Sequence, residues 1–275
     1  MTDETVDAHK MPLLDHLVEL RSRLLKSVVA LLVAFLICFY FAEPIYGFLT
    51  EPLAAILRER HDNPRMIFTA LTEVFFTYVK VAFFAGAFIS CPIFLTQLWL
   101  FVAPGLYKKE QKAFMPFLIA TPVLFFTGGA LVYYVIFPLA ASFLIGFEVT
   151  GGDGALAIQL EAKVSEYLSL IMKLIFAFGL CFQLPVLMTL LARVGLATSA
   201  GMAAKRKYAV VGVFIVAAVL TPPDPLSQIS LALPILLLYE ISIYMAKLVE
   251  RKRAREQAED DEGPGPGTGL TTPDA

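Results

Sequence analysis

Long runs of apolar residues, separated by short polar segments, are the dominant pattern along this chain. Residues 27–42, 81–102, 113–147 and 208–223 contain no Asp, Glu, Lys or Arg. A run of about 20 apolar residues crosses the roughly 30 Å hydrocarbon layer of a bilayer as one helix. The pattern predicts six membrane-spanning helices, near residues 24–42, 74–100, 113–137, 167–192, 208–221 and 227–246.

Prolines and span lengths refine this picture. Pro138 is expected to end the third span, because the uncharged run 113–147 is too long for one crossing. The fifth and sixth apolar runs fall short of about 30 Å at the helical rise of about 1.5 Å per residue. The predicted fold is all-α: a polytopic membrane protein of six kinked helices with a curved outline and two short final helices. Further prolines that kink these spans are Pro92, Pro116, Pro122, Pro185 and Pro234.

The connection between the last two spans reads "LTPPDPLSQ". Its prolines lack amide hydrogens, which limits unpaired donors where the helix must stop. Asp224 can cap the final helix. One interpretation is a tight capped hairpin below the outer surface. The other adds that Thr221, Asp224, Ser227 and Gln228 face a partner helix or a wet cavity, since lipid offers polar groups no partner. The two interpretations are compatible.

Positive charges indicate the orientation. Lysines and arginines are concentrated in the N-terminal segment, the 101–112 and 193–207 loops and the C-terminal segment, whereas the alternate loops contain few. Cytoplasmic loops carry this excess, so both termini are expected in the cytoplasm. The predicted organisation is a cytoplasmic segment 1–23, a six-span membrane domain 24–247 and a cytoplasmic, mostly disordered tail 248–275.

Composition argues against an enzyme. The chain is 58% hydrophobic and has a mean hydropathy of +0.72, above the range of soluble domains. The three histidines lie outside the spans, and the three cysteines lie inside apolar segments, which suits neither disulfides nor a zinc cluster. No phosphate-binding glycine loop, HExxH or GxSxG motif is present. No cofactor, metal or nucleic-acid partner is expected.

A few polar residues lie deep in the apolar runs, namely Lys80, Lys173, Gln183 and Glu240. Each could be a satisfied interior contact, and a lysine could extend toward the membrane interface. An alternative function follows from them. Lys80, Lys173, Gln183 and Asp224 could form the polar path of a secondary transporter or channel, which would give solute flux from the purified protein alone.

Five motifs resemble one known family. They are "DHLVELRSRLLKS" before the first span, "QLWLFVAPGLYKKEQK" after the second, "FGLCFQLPV", "KRKYAVV" and "LTPPDPLSQ…LPILLLYE". Their order and their topological places are similar to those of the TatC family, the multi-span core of the twin-arginine protein translocase. The similarity covers about residues 12–247.

The resemblance implies a receptor for twin-arginine signal peptides of folded precursors at the cytoplasmic face. It also implies assembly with single-span TatA- and TatB-like proteins, self-assembly, contact with membrane lipids and export driven by the proton-motive force. The implied location is the cytoplasmic membrane of a prokaryote, which the chain crosses several times. By resemblance, Glu19 and Glu110 are the signal-recognition carboxylates, with Arg21, His16, Leu20 and Tyr107 beside them. The polar partner-contact cluster would contain Thr221, Asp224, Gln228, Gln183 and Pro52. The family often has a glutamate where this chain has Gln183.

The chemistry of the two carboxylates is consistent with this role. Carboxylates bind planar guanidinium groups in a bidentate geometry that a lysine cannot reproduce. Both acids are isolated within basic segments. A local alternative stays open: Glu110 could pair with a neighbouring lysine, and Glu19 with Arg23 one helical turn away.

Overall fold

The computed structural model describes residues 13–60, 65–102, 115–148, 160–221 and 225–261. Tyr107, Glu110 and Asp224 lie outside the described residues, and the side chain of His16 is not described either. The described chain is almost entirely helical, which confirms the all-α prediction.

Ten α-helices are present in the described ranges, with one π-helical segment and two very short strands. The helices are α1 Leu13–Tyr40, α2 Ala42–Arg60, α3 Glu73–Val102, α4 Met115–Leu131, α5 Phe137–Ile145, α6 Val164–Cys181, α7 Leu184–Val194, α8 Ser199–Ala204, α9 Arg206–Leu220 and α10 Pro225–Asp261. The π-helical segment is Val132–Ile136. Strands β1 (Met66–Ile67) and β2 (Ala162–Lys163) pair in parallel.

Five stretches within the described ranges are long and apolar enough to cross a membrane: Leu17–Tyr40, Glu73–Phe101, Phe117–Ile145, Val164–Val194 and Pro225–Lys252. The predicted fifth span corresponds to α9, which has only 15 residues and is therefore as short as expected. Together with α9, these stretches correspond in order to the six predicted spans. An even number of crossings returns the chain to the side on which it starts.

The ends of the helices define two ends of the molecule. The strand end is the one where α3 and α6 begin, because β1 and β2 precede these helices. The opposite end is called the terminal end, where α1 begins and α10 finishes. In the sequence, the segments rich in lysine and arginine adjoin the helix ends found at the terminal end, so the charge pattern assigns this end to the cytoplasm.

The third span does not end at Pro138. The chain remains helical from Met115 through the π-helical segment to Ile145, and Pro138 occupies the first turn of α5. A proline is tolerated at this position because the amides of a first helical turn need no partner within that helix. The π-helical segment supplies the local widening that separates α4 from α5. The expected end at Pro138 is thus wrong.

Two further features extend the predicted organisation. Helix α2 forms between the first two spans at the strand end, where no element was expected. Helix α10 has 37 residues and continues across residue 248 to Asp261, since its charged C-terminal part is rich in good helix formers. Helix α1 likewise runs without a break across residue 24.

Glycines allow close helix contacts in the core. A Cβ atom on Gly86 would lie 2.7 Å from the backbone nitrogen of Phe35, so α3 touches the backbone of α1. A Cβ atom on Gly128 would lie 2.7 Å from the carbonyl oxygen of Phe178, which brings α4 onto α6. The main core lies around α6 and the π-helical segment, and much of the apolar surface of α1 stays exposed, as expected for a helix that faces lipid.

Candidate functional site

The predicted recognition carboxylate of Glu19 lies on the first turns of α1, at the terminal end. Arg23, one turn later, donates a hydrogen bond from Nε to Oε1 of Glu19 at 2.9 Å and a second from its NH2 group. The NH1 group of Arg23 also reaches Oε1 of Gln97 on α3, at 3.5 Å. The local alternative, an ion pair between Glu19 and Arg23, is therefore present in the structure.

This ion pair leaves half of the carboxylate available. Both bonds from Arg23 end on Oε1 of Glu19, and Oε2 accepts none from the residues that the structure describes. The Glu19 side chain keeps 24% of its surface exposed. A surface pair of this kind contributes little to stability. Its main consequence is to hold the carboxylate in one orientation beside α3.

The other predicted recognition residues are in part described. Arg21 and Leu20 are exposed on the same helix, and His16 lies one turn before Leu20. Gln97, which Arg23 contacts, lies five residues before the end of α3 at Val102. The segment that follows contains Tyr107 and Glu110. The structure thus places Glu19 beside the helix that leads into this segment.

The predicted hairpin cluster is described at Thr221 and Gln228. Thr221 is buried and its hydroxyl donates to the carbonyl oxygen of Ala217 at 2.9 Å. The Nε2 atom of Gln228 donates to the carbonyl oxygen of Phe214 at 3.2 Å and so joins α10 to α9. Thr221 also lines a cavity of about 290 Å³, together with Leu53 of α2 and residues from the first turns of α6.

Gln183 lies apart from the hairpin, in the short break between α6 and α7. Its Nε2 atom donates to the carbonyl oxygen of Thr121 on α4 at 2.9 Å, and its Oε1 atom is buried with no partner in the described structure. The cavity at Thr221 reaches only as far as Leu174 on α6. Gln183 follows nine residues later, about 13 Å along the helix direction.

Pro52 has a clear structural consequence within α2. It has no amide hydrogen, so the carbonyl oxygen of Phe48 lacks its usual helical donor. The hydroxyl of Tyr133, in the π-helical segment, donates to that oxygen at 2.7 Å. The hydroxyl of Tyr167 on α6 donates to the neighbouring carbonyl oxygen of Leu49, also at 2.7 Å. Two buried tyrosines thus fix α2 to the helices that it covers.

Two contacts at the terminal end were missed by reasoning from the sequence. Arg206, at the start of α9, forms a two-pronged ion pair with Glu240 on α10, at 2.7 and 2.8 Å. The carboxylate of Glu250 on α10 accepts bonds from both the amide and the hydroxyl of Ser199, at the start of α8. The depth of Glu240 in an apolar run was the only signal, because partners this distant in sequence have no local pattern.

The two lysines within the spans do not form a path with Gln183. Lys80 and Lys173 are exposed, and both line a groove on the outside of α3 and α6. Gln183 is buried elsewhere, against α4. The arrangement that a polar pathway through the molecule would need is not formed by these three residues.

Comparisons with known proteins agree with the motifs. A family model described as Sec-independent protein translocase protein (TatC) matches residues 15–234. The Sec-independent protein translocase protein TatC of Magnetococcus marinus is 50% identical over 252 residues, 92% of this chain and 90% of the relative. The protein of the same name from Escherichia coli strain K12 is 39% identical over 247 residues, 90% and 92% of the two chains.

A solved structure has the same fold. A crystal structure described as the twin-arginine translocase receptor TatC superposes with a TM-score of 0.72 at 37% identity, and covers 85% of this chain and 99% of its own. Family model, relatives and solved structure each extend over most of the described helices. The chain therefore belongs to the TatC family of Sec-independent protein translocase proteins.

Proposed function

We propose that this chain is the receptor subunit of a twin-arginine translocase, and that Glu19 and Glu110 together bind the two arginines of the signal peptide. The observation that carries the proposal is the position of Glu19. Its carboxylate is held at the terminal end, beside the helix that leads to Glu110, with one oxygen still available. The similar solved structure is itself described as a receptor.

The pairing with Arg23 favours recognition of a guanidinium group. Arg23 holds the carboxylate in one orientation, so a ligand loses less side-chain entropy when it binds Oε2. An arginine of the signal can use two N–H donors on such an acceptor, whereas a lysine has a single compact charge. Because Arg21 and Arg23 repel any cation nearby, only a ligand that forms strong directional hydrogen bonds gains from this site.

The test is a binding measurement with a twin-arginine peptide and its twin-lysine variant. The full chain is reconstituted as wild type, Glu19→Gln, Glu110→Gln and the double variant. Each lost charge-assisted bond should weaken binding of the arginine peptide by roughly ten- to a hundredfold. Glu59→Gln is the matched control, because Glu59 is an exposed acid of α2 at the opposite end. A double variant that still prefers arginine as strongly as wild type would refute the assignment.

Substitution of Arg23 provides a second test with the same two peptides. Arg23→Gln frees both oxygens of Glu19 and removes one repelling charge. If Glu19 binds the signal, this variant should bind both peptides more tightly but discriminate less between arginine and lysine. If Glu19 only serves its partner on α1, the variant leaves both affinities unchanged.

The hairpin is the proposed docking site for the single-span TatA- and TatB-like partners. Thr221 and Asp224 lie between α9 and α10 in the sequence, Gln228 lies in the first turn of α10, and Thr221 lines a cavity beside α2, the helix that contains Pro52. Gln183 would act separately, at the break between α6 and α7. In a cysteine-free background, Gln228→Cys should crosslink to a co-expressed partner more strongly than Phe117→Cys on α4. Equal yields would argue against docking at this hairpin.

A further inference from the structure

Two lysines lie within membrane-spanning helices on the outside of the molecule. Lys80 is the eighth residue of α3, and Lys173 is the tenth residue of α6. At the helical rise they lie about 10 and 13 Å from the strand end of their helices. A charged side chain at such depth is costly unless it meets an opposite charge or extends to the headgroup layer.

The described residues do not supply that opposite charge. Neither lysine forms an ion pair or a hydrogen bond with the residues that the structure describes. Among the described acids that directly precede α3 and α6 or lie in their first turns, Glu161 pairs with Arg65, and Glu166 with Lys163. Glu73 accepts bonds from the amide and the hydroxyl of Thr69. Two ammonium groups therefore remain for a ligand.

Both lysines line the same groove. It has a volume of about 740 Å³ and lies between α3 and α6, with Phe35 of α1 and Leu220 of α9 at its sides. Apart from the lysines, its lining is apolar except for Ser169. Phe83 and Phe176 are among the aromatic residues that form its walls. The groove thus combines two positive charges with a surface that suits hydrocarbon.

We propose that this groove binds an anionic phospholipid. Lys80 and Lys173 hold the phosphate between them, and an acyl chain lies along the aromatic lining. The combination of charge and apolar surface fits a lipid better than an acidic helix of a partner protein. A phosphate offers several oxygens, so it can bridge two ammonium groups, and its chain fills a groove that has almost no other polar groups. Basic pockets between membrane helices bind lipid headgroups on the cytoplasmic side of membranes, and the same chemistry applies to a groove nearer the other side.

The experiment places a reporter in the groove. Phe83→Trp is made in the full chain in a Trp99→Phe background, so that the reporter is the sole tryptophan. The protein is reconstituted in vesicles of equal parts phosphatidylglycerol and phosphatidylcholine. Brominated acyl chains, which quench tryptophan fluorescence, are placed on one lipid or on the other. Total lipid charge is the same in both samples.

Brominated phosphatidylglycerol should quench the reporter more strongly than brominated phosphatidylcholine. Each lysine favours binding of an anionic lipid over a neutral one about fivefold. The two lysines together should therefore favour phosphatidylglycerol over phosphatidylcholine roughly 25-fold at this site. In the Lys80→Gln/Lys173→Gln variant the two lipids should quench equally. Lys80→Arg/Lys173→Arg keeps the charge and should keep the preference. Lys205→Gln/Lys207→Gln removes the same charge at the terminal end and should also keep it.

Equal quenching by the two lipids in the otherwise unchanged reporter protein would overturn the proposal. A preference that persists in the Lys80→Gln/Lys173→Gln variant would overturn it as well. If quenching is equal and a single-span partner crosslinks at the groove only while both lysines are present, the groove binds an acidic partner helix instead. Signal-peptide binding, measured on the same samples, reports independently on the receptor function.

Discussion

The hydroxyl of Tyr133 donates a hydrogen bond of 2.7 Å to the carbonyl oxygen of Phe48, and the two rings stack with centroids 4.4 Å apart. This oxygen is the one that Pro52 leaves without an amide donor. The contact therefore explains how a proline is accommodated inside α2, and Tyr133, which makes it, lies in the π-helical segment. Helix α2, which lies outside the spans, is fixed to the membrane domain through it.

Tyr133→Phe removes the bond and keeps the stacked ring. We expect a loss of roughly 1 kcal/mol in the free energy of unfolding, measured by denaturation in detergent. The matched control is Tyr134→Phe, since Tyr134 is 68% exposed and has no hydrogen bond from its hydroxyl in the described structure. In a Pro52→Ala background, the restored amide can satisfy Phe48, so the cost of Tyr133→Phe should shrink. The same cost in both backgrounds would contradict this account.

Because α1 and α3 approach closely at Gly86, alanine substitutions at Gly86 and at Gly212 should change the stability in opposite directions. A Cβ atom on Gly86 would collide with the backbone of Phe35, whereas one on Gly212 of α9 would meet nothing within 4 Å. Gly86→Ala should lower stability by about 1–3 kcal/mol, because one helix must move. Gly212→Ala should raise it by up to about 1 kcal/mol, since alanine favours helix.

The readout is thermal unfolding of both variants together with binding of the twin-arginine peptide. Displacement of α1 also moves Glu19 away from α3, so Gly86→Ala should weaken binding of the twin-arginine peptide as well. Equal stabilisation by the two alanines would show that α1 is not packed against α3 as closely as described.

The sequence predicted those features of the fold that depend on local composition. Apolar runs identified the spans, the short α9 included, and the spacing of four identified the pairing of Glu19 with Arg23. The prediction that the third span ends at Pro138 was wrong. Whether a helix ends before a proline depends on whether the preceding turn can widen, which the sequence does not show. Helix α2 was missed because its apolar residues cover other helices rather than forming one long run.

The features that the sequence did not predict depend on contacts between residues far apart in the chain. The bond from Tyr133 to Phe48 and the bonds from Ser199 to Glu250 join segments many residues apart. No periodicity encodes such partners. The sequence does contain two signals: a proline inside a helix leaves a carbonyl oxygen without its donor, and a tyrosine in an apolar run has a hydroxyl that needs an acceptor. Only the packing of the helices shows that these two groups meet. The same holds for the groove at Lys80 and Lys173.

Substitutions at Gln183 can distinguish a role in stability from a role in transport. One amide atom is bonded to Thr121, but Oε1 is buried without a partner in the described structure, which costs about 1–3 kcal/mol. Gln183→Met keeps the size of the side chain and removes both polar atoms. The free energy lost with the hydrogen bond and the free energy gained by removing the buried, unpaired Oε1 should then nearly cancel, so the unfolding temperature should change little. If the buried oxygen receives a polar group during assembly or transport, export of a twin-arginine precursor should nevertheless fall.

Gln183→Glu restores an acceptor at the same place and should retain export. Precursor export and thermal unfolding are measured on the same three proteins, wild type included. Full export by Gln183→Met at an unchanged unfolding temperature would reduce Gln183 to a filler of space. Reduced export with an equally reduced unfolding temperature would assign it to packing alone. Only a loss of export without loss of stability, reversed by glutamate, supports a polar contact that forms during the work of the translocase.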